Sequence, residues 1–332
     1  MGLGAAALGA LGTTNLTQPR SAAASGQSTV VVWVWQFDRD GLPNQIRADL
    51  SRGGMGIALK THDGTNWMSK WDKDANAVTG PRQVSRLASY FAEWHVPFHA
   101  WCVIEGLDPQ REAEMCAEVI DAGAQSLYLD LEKTDGHNYW QGSPQSALEF
   151  GFRLRSLQPS AKLILAPDAR PWNNEPLPMA ELTSFCNAIA PQAYWRLFDS
   201  PANYKRLWEH GYPVYHVNPE LIALVSRDAF AQYGLPLEPI GQGNADPGDW
   251  DRFITASSQH AFETVSVWRY GTTTTEAFEY LVSEARTRMP VPQPVAEAPA
   301  PVAGIIAKPS WAPQSGRTWL GKRRRNVGLK AE

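Results

Sequence analysis

The chain predicts an α/β fold, a (β/α)8 barrel of the TIM type, and three features carry that expectation. Between Val30 and about Arg288, short apolar runs alternate with amphipathic ones, the pattern of parallel strands joined by crossover helices. Eight of the apolar runs have strand length, the number that closes such a barrel. Proline stands near the start of four amphipathic runs, at Pro81, Pro109, Pro144 and Pro201, where its missing N–H costs nothing. At 332 residues the chain is longer than the roughly 250 that one barrel takes, so length is left for an arm and a tail.

The first strand is expected over Val30 to Phe37 and the second over Gly56 to Thr61. A helix over Pro81 to His95 leads to the third strand, Pro97 to Ile104, and a helix over Pro109 to Ala122 leads to the fourth, Ser126 to Glu132. The helix Ser143 to Leu157 precedes the fifth strand, Lys162 to Pro167; the helix Met179 to Asn187 precedes the sixth, Ala188 to Trp195. Helices over Pro201 to His210 and Arg227 to Tyr233 then reach the seventh strand, Leu237 to Gly241. A helix over Asp249 to Ala261 reaches the eighth, Thr264 to Trp268. Tyr212 to Val217 could itself be a strand; it reads as an extra segment, because Leu237 to Gly241 is followed more directly by a helix and a strand.

The barrel is expected over residues 29–289, flanked by segments of other composition. Residues 1–28 are a flexible arm or an atypical signal segment. Gly, Ala and Leu dominate Met1 to Leu16 and Ala22 to Ala24 could serve a signal peptidase, yet no Lys or Arg precedes the apolar run and Arg20 sits beside the cleavage site. Residues 290–332 are a Pro/Ala linker and a basic tail, with Trp311, Trp319 and the cluster Lys322, Arg323, Arg324, Arg325. The arm or the tail could dock an assembly partner, and a solvated end is the competing reading.

Composition narrows the function. Hydrophobic residues at 43% and charged residues at 19% describe a globular protein, and a formal net charge of −4 gives no overall case for nucleic acid binding. No run after the N-terminal segment is long and apolar enough to span a membrane. Cys102, Cys116 and Cys186 form no CxxC pair, so neither a disulfide framework nor a zinc site is indicated, and buried thiols are expected. His62, His99 and Asp130 do not make a credible ligand set for a catalytic metal, His99 reads as a hydrogen-bonded interior residue, and no cofactor is expected. The GGMG run at Gly53 to Gly56 precedes a strand, which a phosphate-binding loop does not do.

The segment Ser126 to Glu132, SLYLDLE, is where chemistry is expected. Alternate residues of a strand share a face, so Asp130 and Glu132 would project together with Cα atoms roughly 6.6 Å apart. Paired acids of unequal pKa suit glycosidic cleavage: one protonates the leaving oxygen, the other stays ionised to attack or to steady positive charge. Capping of the following loop is the plainer reading. The other strand ends add Lys60, Trp101, Asp168, Gln192, Tyr194, Gln242 and Trp268, donors and flat rings of the kind a carbohydrate cleft uses. The 14 Trp residues fit both that use and ordinary packing.

These strand ends resemble known enzymes. ALKTHDGTNW (Ala58 to Trp67), LYLDLE (Leu127 to Glu132) and SVWRYG (Ser266 to Gly271) resemble the second, fourth and eighth strand signatures of family 25 glycoside hydrolases, the lysozyme-like muramidases. LILAPD (Leu163 to Asp168), PQAYW (Pro191 to Trp195) and Trp268 resemble family 18 chitinases. Family 18 enzymes carry two further Asp residues before the pair, where this chain has Gln125 and Tyr128, and Asp38 does not align with the first-strand Asp of family 25. The resemblance implies Glu132 as proton donor and Asp130 as the charged partner. It implies Gln192 and Tyr194 as hydrogen-bonding groups, Trp268 as the apolar floor and Asp168 as a hydroxyl ligand. A core role for Tyr194 and Trp268 and a loop-cap role for Asp168 are the alternatives.

The expected function is hydrolysis of β-linked amino-sugar polymers, peptidoglycan first, at a cell wall or virion. The competing expectation is a catalytically inactive barrel that serves as a structural or glycan-binding component of a virion or envelope assembly.

Overall fold

The structure is a computed structural model that describes residues 30–131, 133–134, 137–262 and 264–285. The arm 1–28 and the linker and tail 290–332 lie outside the described residues. The ten strand segments of the main sheet resolve into eight parallel strands, one of them in two pieces, and a short antiparallel segment Asn66–Trp67. The parallel strands are β1 Val30–Val34, β2 Gly56–Asp63, β3 Phe98–Val103, β4 Ser126–Leu131 and β5 Lys162–Pro167. They continue with β6, split into Ala188–Ile189 and Gln192–Ala193, then β7 Ile240–Gln242 and β8 Val265–Trp268. Each pairs with its neighbours in sequence, and β8 returns to β1 with Val30 opposite Val265, so the sheet closes as expected.

The break in β6 falls at Ala190 and Pro191, where Pro191 has no N–H for the ladder. The Pro191 carbonyl accepts from Ile240 N at 2.8 Å and Ala190 N donates to Leu165 O at 2.7 Å, so the strand still joins both neighbours.

Helices follow the strands: α1 Pro43–Gly53, α2 Pro81–Ala92, α3 Pro109–Asp121, α4 Pro144–Leu157, α5 Met179–Thr183, α6 Pro201–Glu209, α7 Pro219–Phe230, α8 Pro247–Gln259 and α9 Thr275–Tyr280. A polar residue just before proline starts several of them. Asp108, Ser143 and Asn218 accept from the N–H of Arg111, Ser146 and Leu221 at 3.1, 3.0 and 2.8 Å. Their inner faces carry Ile46, Leu50, Phe91, Phe150, Leu154 and Phe253, all fully buried against the outer face of the sheet. Each contributes about 1.5–3 kcal/mol by leaving water.

Several boundaries differ from expectation, each for a local reason. The first strand stops at Val34 because Phe37–Asp40 turns into a short helix, whose Phe37 and Asp38 N–H groups are met by the buried Asp72 carboxylate at 2.9 and 3.3 Å. The helix α1 was not expected at all, although Pro43 marks its start as other prolines mark theirs. Its inner stripe is only Ile46, Leu50 and its ends, too thin a pattern to stand out in a polar sequence. The helix expected at Arg227 begins at Pro219 instead, and Tyr212 to Val217 forms no strand. The helix α5 ends at Thr183, not Asn187: Arg155 ties Phe185 O down at 2.6 Å, and Asn187 Oδ1 accepts from Leu163 N at 2.9 Å.

Candidate active site

Side chains that point into the barrel lie in layers. Near the N-terminal ends of the strands, Lys162 Nζ donates to Glu238 Oε1 at 2.6 Å, with the Glu238 side chain only 1% exposed. His99 Nδ1 lies 2.8 Å from Ser126 Oγ. Burial, with a smaller push from the Lys162 charge, lowers the His99 pKa to about 3, so this interior ring is neutral. Burial first, and then the Glu238 charge, raises the Tyr128 phenol far above its ordinary range.

An aromatic layer follows. Trp33 meets Trp101, Tyr128 and Trp268 at ring-centroid distances of 5.0, 5.1 and 5.8 Å, and Trp101 meets Trp268 edge-on at 5.4 Å. Trp101 is 1% exposed and its Nε1 donates to Val34 O at 3.0 Å, so it backs Trp268 instead of offering a ring face to a ligand. Trp268, at the C-terminal end of β8, is only partly buried. Lys60 also points inward, with Nζ 4.8 Å from the Trp101 ring and 2.9 Å from Asp63 Oδ2.

Asp130 sits near the C-terminal end of β4, 5% exposed. Its Oδ1 accepts from Gln192 Nε2 at 2.8 Å, and the same Nε2 lies 3.3 Å from Ala166 O, so one amide from β6 reaches across β5 to orient the carboxylate. Tyr194 follows two residues after Gln192, 8% exposed and against Phe198 at 5.8 Å. Glu132 lies outside the described residues.

Two of the expected binding groups are engaged in building loops. Asp168 Oδ1 accepts from Arg170 N at 2.8 Å and from Arg170 Nε at 2.9 Å, and Oδ2 accepts from Asn173 Nδ2 at 2.8 Å, which is the loop-cap role. Gln242 Oε1 accepts from Arg196 N at 2.8 Å and its Nε2 donates to Asn244 Oδ1 at 3.1 Å, fixing the turn after β6. Asp130, Gln192, Tyr194 and Trp268 thus lie at the C-terminal ends of their strands, and of the four only Trp268 is partly exposed.

The rim also holds groups to which the sequence assigned no role. Arg269, just after β8, pairs with the buried Asp40 carboxylate and stacks over Trp35 at 5.1 Å, while Asp40 Oδ2 accepts from Trp35 N at 2.6 Å. After β3, the Glu112 carboxylate, 1% exposed, accepts from four successive backbone N–H groups. Oε2 takes Glu105 and Gly106 at 2.8 and 3.0 Å; Oε1 takes Leu107 and Asp108 at 3.0 and 3.2 Å. An acid four to seven residues after such a loop was the available signal.

All three cysteines are buried, as expected. Burial pushes the Cys186 thiol up to about 12 and raises Cys102 well above its ordinary value. Among the described residues, His62, Cys102 and Cys116 gather with ligand atoms within 4.8 Å of one another, a grouping that the cysteine spacing did not indicate. His62 and Cys116 are 54 residues apart, so no local spacing motif marks them.

No protein-family model and no curated protein matches the chain. Among solved structures, the catalytic domain of a hyperthermophilic chitinase from Pyrococcus furiosus is similar with TM-score 0.52 at 11% identity, over 80% of this chain and 97% of that chain. A family 18 N-acetylglucosaminidase from Paenibacillus barengoltzii is similar with TM-score 0.50 at 11% identity, over 77% of this chain and 99% of that one. The family 25 resemblance is not shown by these comparisons. At such identity the similarity carries the architecture and not the chemistry. The chain therefore has a (β/α)8 barrel fold like that of these glycoside hydrolases.

Proposed function

We propose that the chain is a glycoside hydrolase of β-linked amino-sugar polymers. One observation carries the reading: Asp130 stands inside the C-terminal end of a closed barrel, its carboxylate held by Gln192, on the same end as the partly open ring of Trp268. Two residues on in the sequence comes Glu132, the second acid that cleavage requires.

In this reading Glu132 donates its proton to the glycosidic oxygen as the bond to the anomeric carbon breaks. Asp130 stays ionised and steadies the oxocarbenium-like carbon or polarises the sugar's acetamido group; water then adds to the anomeric carbon and gives its proton to the Glu132 carboxylate, restoring the acid. The donor from Gln192 keeps the carboxylate turned toward the reacting sugar, and Trp268 supplies the apolar floor beneath its ring. Peptidoglycan is the preferred substrate, on the resemblance of ALKTHDGTNW and SVWRYG to muramidase strand ends, and chitin is the competing one.

Incubation of the full chain with purified peptidoglycan and with chitin oligosaccharides, followed by mass analysis of products, tests the proposal. New reducing ends from either polymer support it, and the susceptible polymer names the substrate class. Binding without any cleavage would replace it with the inactive glycan-binding barrel.

A further inference from the structure

We propose that His62, Cys102 and Cys116 form a buried site for a thiophilic d10 cation, Zn2+ or Cu+, in the layer between the barrel wall and α3. The proposal is independent of the hydrolase reading.

The backbone is bent to build this cluster. The β2–β3 ladder pairs Lys60 with Trp101 and then His62 with Cys102, so Thr61 is an extra residue, a β-bulge. Without the bulge Thr61 would stand opposite Cys102, and His62 would fall on the other face of the strand. The bulge keeps Lys60 inside the barrel, by the Trp101 ring, and turns His62 outward beside Cys102. From α3, Cys116 completes the group, with Sγ 3.8 Å from Cys102 Sγ and 3.6 Å from His62 Nε2.

The imidazole is oriented as a metal ligand is. Thr61 Oγ1 lies 3.3 Å from Trp101 O, to which it donates, and 2.9 Å from His62 Nδ1, from which it then accepts. That pair of bonds places the proton on Nδ1 and leaves the Nε2 lone pair facing the sulfurs, the role a supporting hydrogen bond plays around metal-bound histidine. Trp67 closes the other side of the ring at 5.6 Å.

Distances and charge agree with this occupant. With metal–sulfur and metal–nitrogen bonds of about 2.3 and 2.0 Å, the Cys102–Cys116 and Cys116–His62 separations subtend angles of about 110° at the ion. Binding replaces the two S–H protons, which leave to solvent, and two thiolates plus a neutral imidazole make a site that is uncharged with Zn2+ and singly negative with Cu+. All three residues are at most 1% exposed, which favours the uncharged assembly, whereas three ligands with no fourth grouped beside them among the described residues suit Cu+. The ion would fasten β2, β3 and α3 together.

The full chain, reduced and stripped of metal, is titrated with Zn2+ against a chromophoric competitor and, without oxygen, with Cu+ against a cuprous competitor. The expected result is about one equivalent of one ion, a raised Tm, and a sulfur-to-metal charge-transfer band when Co2+ replaces Zn2+. Cys102→Ala and Cys116→Ala should each abolish uptake, while Cys186→Ala should retain it. Uptake below roughly a tenth of an equivalent of either ion at about 1 μM free metal would overturn the proposal. So would uptake unchanged in both cluster variants. If those variants fail to fold, the wild-type spectra decide, and absence of a sulfur-to-metal charge-transfer band with both Co2+ and Cu+ rejects the site.

Discussion

Replacing Glu112 by Gln changes one oxygen into an NH2 group and little else in shape. In the native loop each carboxylate oxygen accepts from two backbone N–H groups, Glu105 and Gly106 on one, Leu107 and Asp108 on the other. The Gln side chain keeps one accepting oxygen and sets its NH2 against the other two donors, so two hydrogen bonds to a charged group are lost at about 1.5–3 kcal/mol each. The loop has little freedom to turn away, because a Cβ on Gly106 would already stand 2.7 Å from the Trp140 ring and its φ is +69°. Allowing for partial relaxation, the expected loss is about 3 kcal/mol, which lowers Tm by roughly 6–12 °C. Urea unfolding followed by tryptophan fluorescence measures it, with Glu118→Gln as control, since that acid's pair with Arg111 is solvent-screened and is worth about 1 kcal/mol or less. A Glu112→Gln loss no larger than that of the control would refute the reasoning.

Three further outcomes are expected. Lys162→Met leaves the buried Glu238 carboxylate without its cation and should cost about 3–5 kcal/mol, whereas Lys162→Met with Glu238→Leu should recover most of it; equal losses in urea titrations would contradict this. Because the folded pKa of His99 is depressed to about 3 against an ordinary 6.5, the unfolded chain takes up a proton first, so stability falls as pH drops from about 6.5 toward 3. His99→Gln should remove up to about 1.4 kcal/mol per pH unit of that slope between pH 5 and 6, read from urea midpoints. Trp268→Ala should raise KM for an amino-sugar oligomer by roughly tenfold through loss of ring stacking, with a smaller change in kcat.

The barrel was legible because its signals are local. Buried parallel strands such as Val30–Val34 and Lys162–Pro167 are unbroken apolar runs, and polar–Pro pairs such as Asp108–Pro109 and Ser143–Pro144 start helices through contacts within four residues. Where the deciding contact is distant, the sequence misled. The first strand ends early because Asp72 caps the turn from 35 residues away.

The same distinction runs through the candidate site. Asp130 and Gln192 were visible as polar residues ending apolar strands, yet nothing local said that 62 residues apart they share a hydrogen bond. Asp168 looked equally available, but Arg170 two residues on holds it. Trp101 looked like a sugar-binding ring and proves to be a support, because side-chain depth in a barrel depends on register across strands. The His62 cluster was hidden because a bulge reverses the face on which the histidine falls.

Hydrolysis by the acid-to-amide variants tests the central claim most directly. Glu132→Gln and Asp130→Asn, assayed on peptidoglycan and on chitin oligosaccharides, should each lower kcat by roughly 10²–10⁴ while glycan binding and Tm stay near those of the parent chain. Parent-level cleavage by either variant, with folding intact, would contradict the account.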